Sequence, residues 1–208
     1  MRRFADTNGC KGMVAGIILA AGQSRRMGEP KQLLLLKGKP MVRHVAEQAC
    51  RADLEEVIVV TGAYRDEVRE VLAGLPLKLL HNQSWESGQS SSVKAGLGGL
   101  GGQIGAVSFL LADQPFVNTA LINSLVRTFR GTGASIIVPG RQDRCGNPVL
   151  FDLARWRNEL FQLSGDEGAR RILARHRSEI RYLETSDETA FMDVDTPEDY
   201  QRIKELWE

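Results

Sequence analysis

The sequence predicts an α/β fold with three layers: a mostly parallel, Rossmann-like sheet with helices on both faces. Three observations predict it. Short valine-, isoleucine- and leucine-rich runs alternate with stretches of helical spacing over about 140 residues. The runs are strand-length, and two of them stop at a glycine turn, Gly22 and Gly62. A later run stops at Asp113-Gln114-Pro115, at the kind of strand end where open α/β sheets bind ligands.

The elements follow in order. Residues 13–19 read as a buried strand ending in Ala20-Ala21-Gly22. Pro40 opens a helix with Met41, Val45, Gln48 and Ala49 at helical spacing. Residues 56–61 form a second strand, 64–72 a charged amphipathic helix and 77–80 a third short strand. Residues 90–97 read as a helix running into the glycine-rich 98–102, and 106–111 as the next strand. Asn118 caps a helix carrying Leu121, Leu125 and Val126, and 135–138 is another strand. Beyond Arg141 the pattern breaks up around Gly146-Asn147-Pro148 and Ser164-Gly165-Asp166; 180–183 is a late strand, and Pro197 starts the last helix. With no long linker or repeat, residues 13–208 are expected to form one domain behind a loose leader, residues 1–12.

Composition excludes several classes of function. A net charge of +1 provides no bulk basic field for nucleic acid. The longest apolar stretch, 104–112, is too short to cross a bilayer, and residues 1–12 lack the apolar core of a secretion signal. Cys10, Cys50 and Cys145 are scattered, which points to a reducing compartment and a cytoplasmic protein. His44, His81 and His176 show no zinc-ligand spacing, and Trp85, Trp156 and Trp207 are read as packing residues.

The main chemical signal is the turn from Leu19 to Lys31. Small residues (Ala20, Ala21, Gly22) let backbone amides approach phosphate oxygens, and Arg25, Arg26 and Lys31 can neutralise a triphosphate. No Walker glycine-lysine-serine/threonine follows, and the alternative is a strand-to-helix turn with solvated charges. Asp113 is either a turn residue or a carboxylate for Mg²⁺, which takes one or two protein oxygens and keeps waters. Asp193 and Asp195 alternate, so an extended segment would present both on one face. Thr196-Pro197 also reads as a helix start. Gly96 to Gly101 satisfies a dinucleotide-binding glycine pattern but precedes a strand instead of following one, so it reads as a helix end and loop.

Six segments together resemble the molybdenum cofactor nucleotidyltransferases, most closely their cytidylyltransferase branch. They are residues 19–31, 82–93, Asp113-Gln114-Pro115, Gly146-Asn147-Pro148, 165–170 and 193–200. The resemblance runs from Gly16 to about Tyr200. It implies the nucleotidyltransferase fold and transfer of a nucleoside monophosphate to a phosphorylated acceptor. It implies catalytic roles for Lys31, Arg25 and Arg26, and nucleotide contacts from Leu19, Ala20, Ala21, Gly22, Gly88, Ser91 and Ser92. Mg²⁺ would sit on Asp113 and Asp195, and Asn147 and Asp166 would contact the acceptor. The implied substrates are CTP, or another NTP, and a molybdopterin-type acceptor. The product would go to a recipient such as a xanthine dehydrogenase-like molybdenum hydroxylase. In the guanylyl branch the matching turn typically reads Gly-Gly where this chain has Ala21-Gly22, which favours CTP. The alternatives are a guanylyl or sugar-phosphate transferase, a non-catalytic cofactor carrier, and an oxidoreductase supported only by the misplaced glycine pattern.

Overall fold

The computed structural model describes residues 12–24, 27–141, 143–185 and 187–207. The expected leader, apart from Gly12, lies outside the described residues, as do Arg25 and Arg26. In chain order the elements are β1 (Val14–Ala20), a short hairpin of β2 (Leu35–Leu36) and β3 (Lys39–Pro40), α1 (Met41–Arg51), β4 (Glu56–Thr61) and α2 (Arg65–Val71). Then come β5 (Lys78–His81), α3 (Gln89–Gly98), β6 (Ala106–Leu111), α4 (Thr119–Thr132), β7 (Ile136–Pro139) and β8 (Val149–Asp152). Helices α5 (Leu153–Gln162) and α6 (Arg170–Arg175), strand β9 (Ile180–Leu183) and helix α7 (Pro197–Trp207) complete the chain.

The seven-stranded sheet runs β5-β4-β1-β6-β8-β7-β9. Strands β5, β4, β1 and β6 are mutually parallel, and β7 is parallel to β9. Only β8 runs against its neighbours β6 and β7. Alternation along β1 builds the layers. Ile17 points into a core with Val93 and Leu97 of α3 and Leu153, Trp156 and Leu160 of α5. Its neighbour Ile18 points the other way, into a core with Val42, Val45 and Ala46 of α1 and Ile122 of α4. Helices therefore cover both faces, as the alternating pattern predicts.

Local signals explain the element ends. The Asn118 side chain accepts a hydrogen bond from the Leu121 amide at 2.9 Å, and α4 stops at Gly133 in the left-handed region, φ +63°. Thr196 caps α7: its hydroxyl accepts from the Asp199 amide, while Asp199 accepts from the Thr196 amide. Pro40 lies one residue before α1 and pairs in the hairpin. The glycine pattern at 96–101 is the last turn of α3 and the loop leading to β6, as read from its context. Trp156 is a core residue, 1% exposed, and Trp207 packs on Phe116 and His44.

Candidate active site

Two clefts meet at the carboxyl edge of β1 and β6. The first, of about 410 Å³, is lined by the turn after β1, by Lys31 and Asp113, and by Gly88 and Ser92 of the α3 start. The second, of about 510 Å³, lies on the side of β8, β9 and α6. Gln89 and Leu111 line both.

The turn after β1 supplies Leu19, Ala21 and Gly22 to the first cleft. Ala20 is 4% exposed, belongs to the core beneath α1 and is not part of the cleft lining. Gly62, at the end of β4, is there because a Cβ would collide with Ala21 and, at 2.8 Å, with Trp85 Cβ. This close approach sets the wall of the cleft and brings Trp85 to its rim.

Lys31 opens a single 3₁₀ turn, and its ammonium reaches 2.5 Å from Asp113 Oδ2 and 2.8 Å from Asp195 Oδ1. Burial works against the lysine charge, but the two carboxylates outweigh it and hold its pKa above the ordinary value. The Val194 amide donates to the Asp113 carbonyl at 3.1 Å, which stitches the acidic segment 193–195 to the loop after β6. Asp113 and Asp195, 82 and 164 positions after Lys31 in the chain, thus converge on it through tertiary pairing. Asp193 sits close by and lines the second cleft. Burial pushes its carboxyl up, and the charges of Asp113 and Asp195 push it further.

The fit to a divalent metal rests on this donor set. Asp113 Oδ1 is buried and has no hydrogen-bond partner, and an oxygen pair supplemented by water suits Mg²⁺. No group of three or more histidine, cysteine, aspartate or glutamate side chains is placed for a metal among the described residues.

Gly88 has φ +95°, and the backbone of Gly165 and Asp166 packs where its Cβ would be. The Ser90 amide donates to the Gly165 carbonyl at 3.1 Å, so the 164–168 loop rides on the start of α3. The serine run has internal work: Ser91 Oγ donates to the Gly88 carbonyl, and Asn82 Nδ2 donates to both Ser91 Oγ (2.7 Å) and Ser92 Oγ (3.0 Å). Ser92 lines the first cleft. Asp166 lies on the first cleft, next to Gly88, while Asn147 lies on the second.

Several site residues carry no role in the sequence reading. Gln32 is 3% exposed and bonds inside the turn after β1. Gln114 is 3% exposed and lines the second cleft, and its Oε1 has no partner. Arg170 and Arg177 bring positive charge to that cleft, with Tyr182 and Phe191 as aromatic wall. Gln32 and Gln114 sit next to Lys31 and Asp113 in sequence, but neither residue type announces a role without its partners.

The profile of the MobA-like NTP transferase domain matches residues 16–180. The chain is 30% identical to nicotine blue oxidoreductase of Paenarthrobacter nicotinovorans, over 91% of this chain and 96% of that one. It is 32% identical to the purine catabolism protein PucB of Bacillus subtilis, over 91% and 95%. Among solved structures, the Rv0371c homologue from Mycobacterium sp. strain JC1 superposes with a TM-score of 0.83 at 30% identity, covering 95% of this chain and 98% of that one. Rv0371c of Mycobacterium tuberculosis in complex with manganese superposes with a TM-score of 0.80 at 26% identity, over 93% and 98%.

Proposed function

The chain belongs to the MobA-like NTP transferase family and is a nucleotidyltransferase, and we propose that it is a magnesium-dependent CTP:molybdopterin cytidylyltransferase that releases pyrophosphate. The observation that carries the reading is the convergence of Asp113 and Asp195 on Lys31, at the cleft that Lys31 and Asp113 line together with Ala21 and Gly22.

The triphosphate lies along the turn, with Lys31 facing the α-phosphoryl group and the departing pyrophosphate. Arg25 and Arg26 follow Ser24 in the sequence and would add positive charge for the triphosphate. The acceptor occupies the second cleft, with Asn147 on its wall and Arg170 and Arg177 drawing its phosphate. An oxygen of that phosphate attacks the α-phosphorus. A new oxygen–phosphorus bond forms, the bond to the β-phosphate bridge breaks, and the electron pair leaves on pyrophosphate. The nucleophile is already anionic, so positioning and charge stabilisation carry the step. Asp113 and Asp195 would hold Mg²⁺, which supplies charge neutralisation on the phosphate oxygens. The manganese in the Rv0371c complex supports a divalent ion in this fold.

Ala21 supports CTP: it lines the cleft, and a purine needs more room than cytosine. Gly88 and the amide-rich start of α3 face the same cleft and suit the nucleobase, with Ser92 nearer than Ser91. Asp166 lines the first cleft, which supports a contact on the nucleotide side, while Gly168, Ala169 and Arg170 line the second, proposed to take the acceptor. The product would pass to a molybdenum hydroxylase in the cytoplasm. No helix among the described residues is long and apolar enough to cross a membrane.

The test is pyrophosphate release with CTP, GTP, ATP and UTP supplied separately, each with the molybdenum-loaded pterin. CTP-dependent release is expected; no release with any of the four overturns the reading. The relative named an oxidoreductase gives a second reading one supporting observation. Here the glycine pattern that would hold a dinucleotide is a helix end. Oxidation of a nicotinamide cofactor, measured beside pyrophosphate release, separates the two.

A further inference from the structure

We propose that Gln32 is the positioning residue of the phosphate turn: it holds the turn in its binding shape and fixes where Lys31 leaves the backbone. The inference rests on the nucleotidyltransferase reading of the first cleft. It concerns a residue that touches no substrate.

The geometry is a closed relay. Lys31 N–H donates to Ser24 Oγ at 3.1 Å, and the Ser24 hydroxyl donates to Gln32 Oε1 at 3.2 Å. The other end of the same carboxamide, Nε2, donates to the Gly22 carbonyl at 3.2 Å. One side chain thereby ties Gly22, the first residue after Ala21, to Ser24, the partner of the Lys31 amide. Every link has a donor and an acceptor, and Gln32, whose carboxamide is at the centre, is 3% exposed.

Two features require such a brace. Ser24 sits at φ +57°, in the left-handed region that a residue with a Cβ enters only at a cost. Such a conformation persists when its surroundings fix it, and the two bonds to the Ser24 hydroxyl do so. The second feature is electrostatic. A carbonyl oxygen turned toward a triphosphate repels it. Gln32 turns the Gly22 carbonyl inward, and the N–H of the same trans peptide points the opposite way. Lys31 meets Asp113 and Asp195 from a backbone whose amide is pinned by this relay, so a shift of the turn moves its ammonium.

The experiment compares the unmodified protein with Gln32→Leu, Ser24→Ala and the double variant. Readouts are steady-state kinetics varying CTP and acceptor separately, calorimetric binding of Mg·CTP, and thermal melting. Gln32→Leu is expected to lower kcat/KM for the nucleotide about a hundredfold, the scale of an ångström-sized misplacement. The acceptor KM is expected to hold. Ser24→Ala should show a smaller loss of the same kind, and the double variant should be no worse than Gln32→Leu, because both act through one relay. Additive losses would overturn the proposal, as would a melting shift with an unchanged nucleotide kcat/KM, or equal rises in both KM values. If Gln32→Leu does not fold, Ser24→Ala carries the same comparison. Absence of Mg·CTP binding by the unmodified protein would remove the parent reading and the proposal with it. Normal binding and turnover in Gln32→Leu would remove the proposal alone.

Discussion

Replacing Lys31 with methionine keeps the length of the side chain and removes the cation between Asp113 and Asp195. Both carboxylates are within hydrogen-bonding distance of that ammonium, at 2.5 and 2.8 Å. Left facing each other at about 5 Å, with an effective dielectric of about 20, they repel by about 3 kcal/mol. The Asp195 side chain is 45% exposed, so water and salt reduce this to about 1–2 kcal/mol. A divalent cation relieves the repulsion and no longer competes with an ammonium. Mn²⁺ should therefore bind Lys31→Met about tenfold more tightly, equivalent to about 1.4 kcal/mol. Turnover should move the other way, falling about 10²–10³-fold, because the charge proposed to face the transferring phosphoryl group is gone. The fall should lie in kcat more than in the nucleotide KM. The assays are Mn²⁺ titration followed by calorimetry or paramagnetic resonance, and steady-state pyrophosphate release. Weaker Mn²⁺ binding in the variant would refute the idea that Lys31 and the metal share the two carboxylates. A rise in KM with kcat unchanged would refute its transition-state role.

Other predictions follow the same site outward. Asp113→Asn should cut turnover by orders of magnitude and weaken Mn²⁺ binding while melting normally, since a metal contributes several kcal/mol to charge stabilisation; turnover near normal would remove Asp113 from the metal site. Ala21→Gly should relax the preference for CTP over GTP without abolishing activity, read from kcat/KM for the two nucleotides; equal use of both by the unmodified protein would refute the steric argument. Gln114→Leu removes a buried amide whose oxygen has no partner, so its melting temperature should hold or rise while the acceptor KM rises; a lower melting temperature with an unchanged acceptor KM would show the amide to be structural. Glu47, on α1, is held below the usual carboxylate range first by its hydrogen bond from Lys39 (2.6 Å), against burial, and then by Arg43 (3.0 Å). A lowered folded pKa gives stability that is present above the ordinary value near 4.5 and lost as pH falls through the folded value. Glu47→Gln should therefore cost about 1 kcal/mol at neutral pH, and the cost should shrink as pH falls below the ordinary value, measured by denaturant unfolding across the acid range.

Local chemistry made much of this protein legible in the sequence. Strand β4 spans 56–61 as read, because a valine and isoleucine run fits a sheet buried on both faces. Asn118 caps α4 and Thr196 caps α7 because those side chains bond to amides within their own turn. The glycine pattern at 96–101 was separable from a dinucleotide site by its order relative to β6 alone. After Arg141 local signals thin out: β8 is four residues, and its reversed direction depends on pairing with β6 and β7, which no local pattern states. The same limit holds in the site. That Lys31 and Asp113 serve one centre could be inferred by resemblance, but the ammonium's place between Asp113 and Asp195 is set by the backbone bond from Val194 to Asp113. The serines of the α3 start read as base contacts, yet Ser91 and Ser92 take hydrogen bonds from Asn82, nine and ten residues away. Gln32 and Gln114 are ordinary polar residues in a string of letters. Burial gave one a relay to complete and left the other with an unpartnered oxygen, because a carboxamide acquires its role from what surrounds it once water is excluded. The sequence by itself determined which segments are strands, turns and caps, since those depend on neighbours a few residues apart. Only the tertiary structure decided which charges face each other and which amides are left to bind, since those depend on contacts between distant segments.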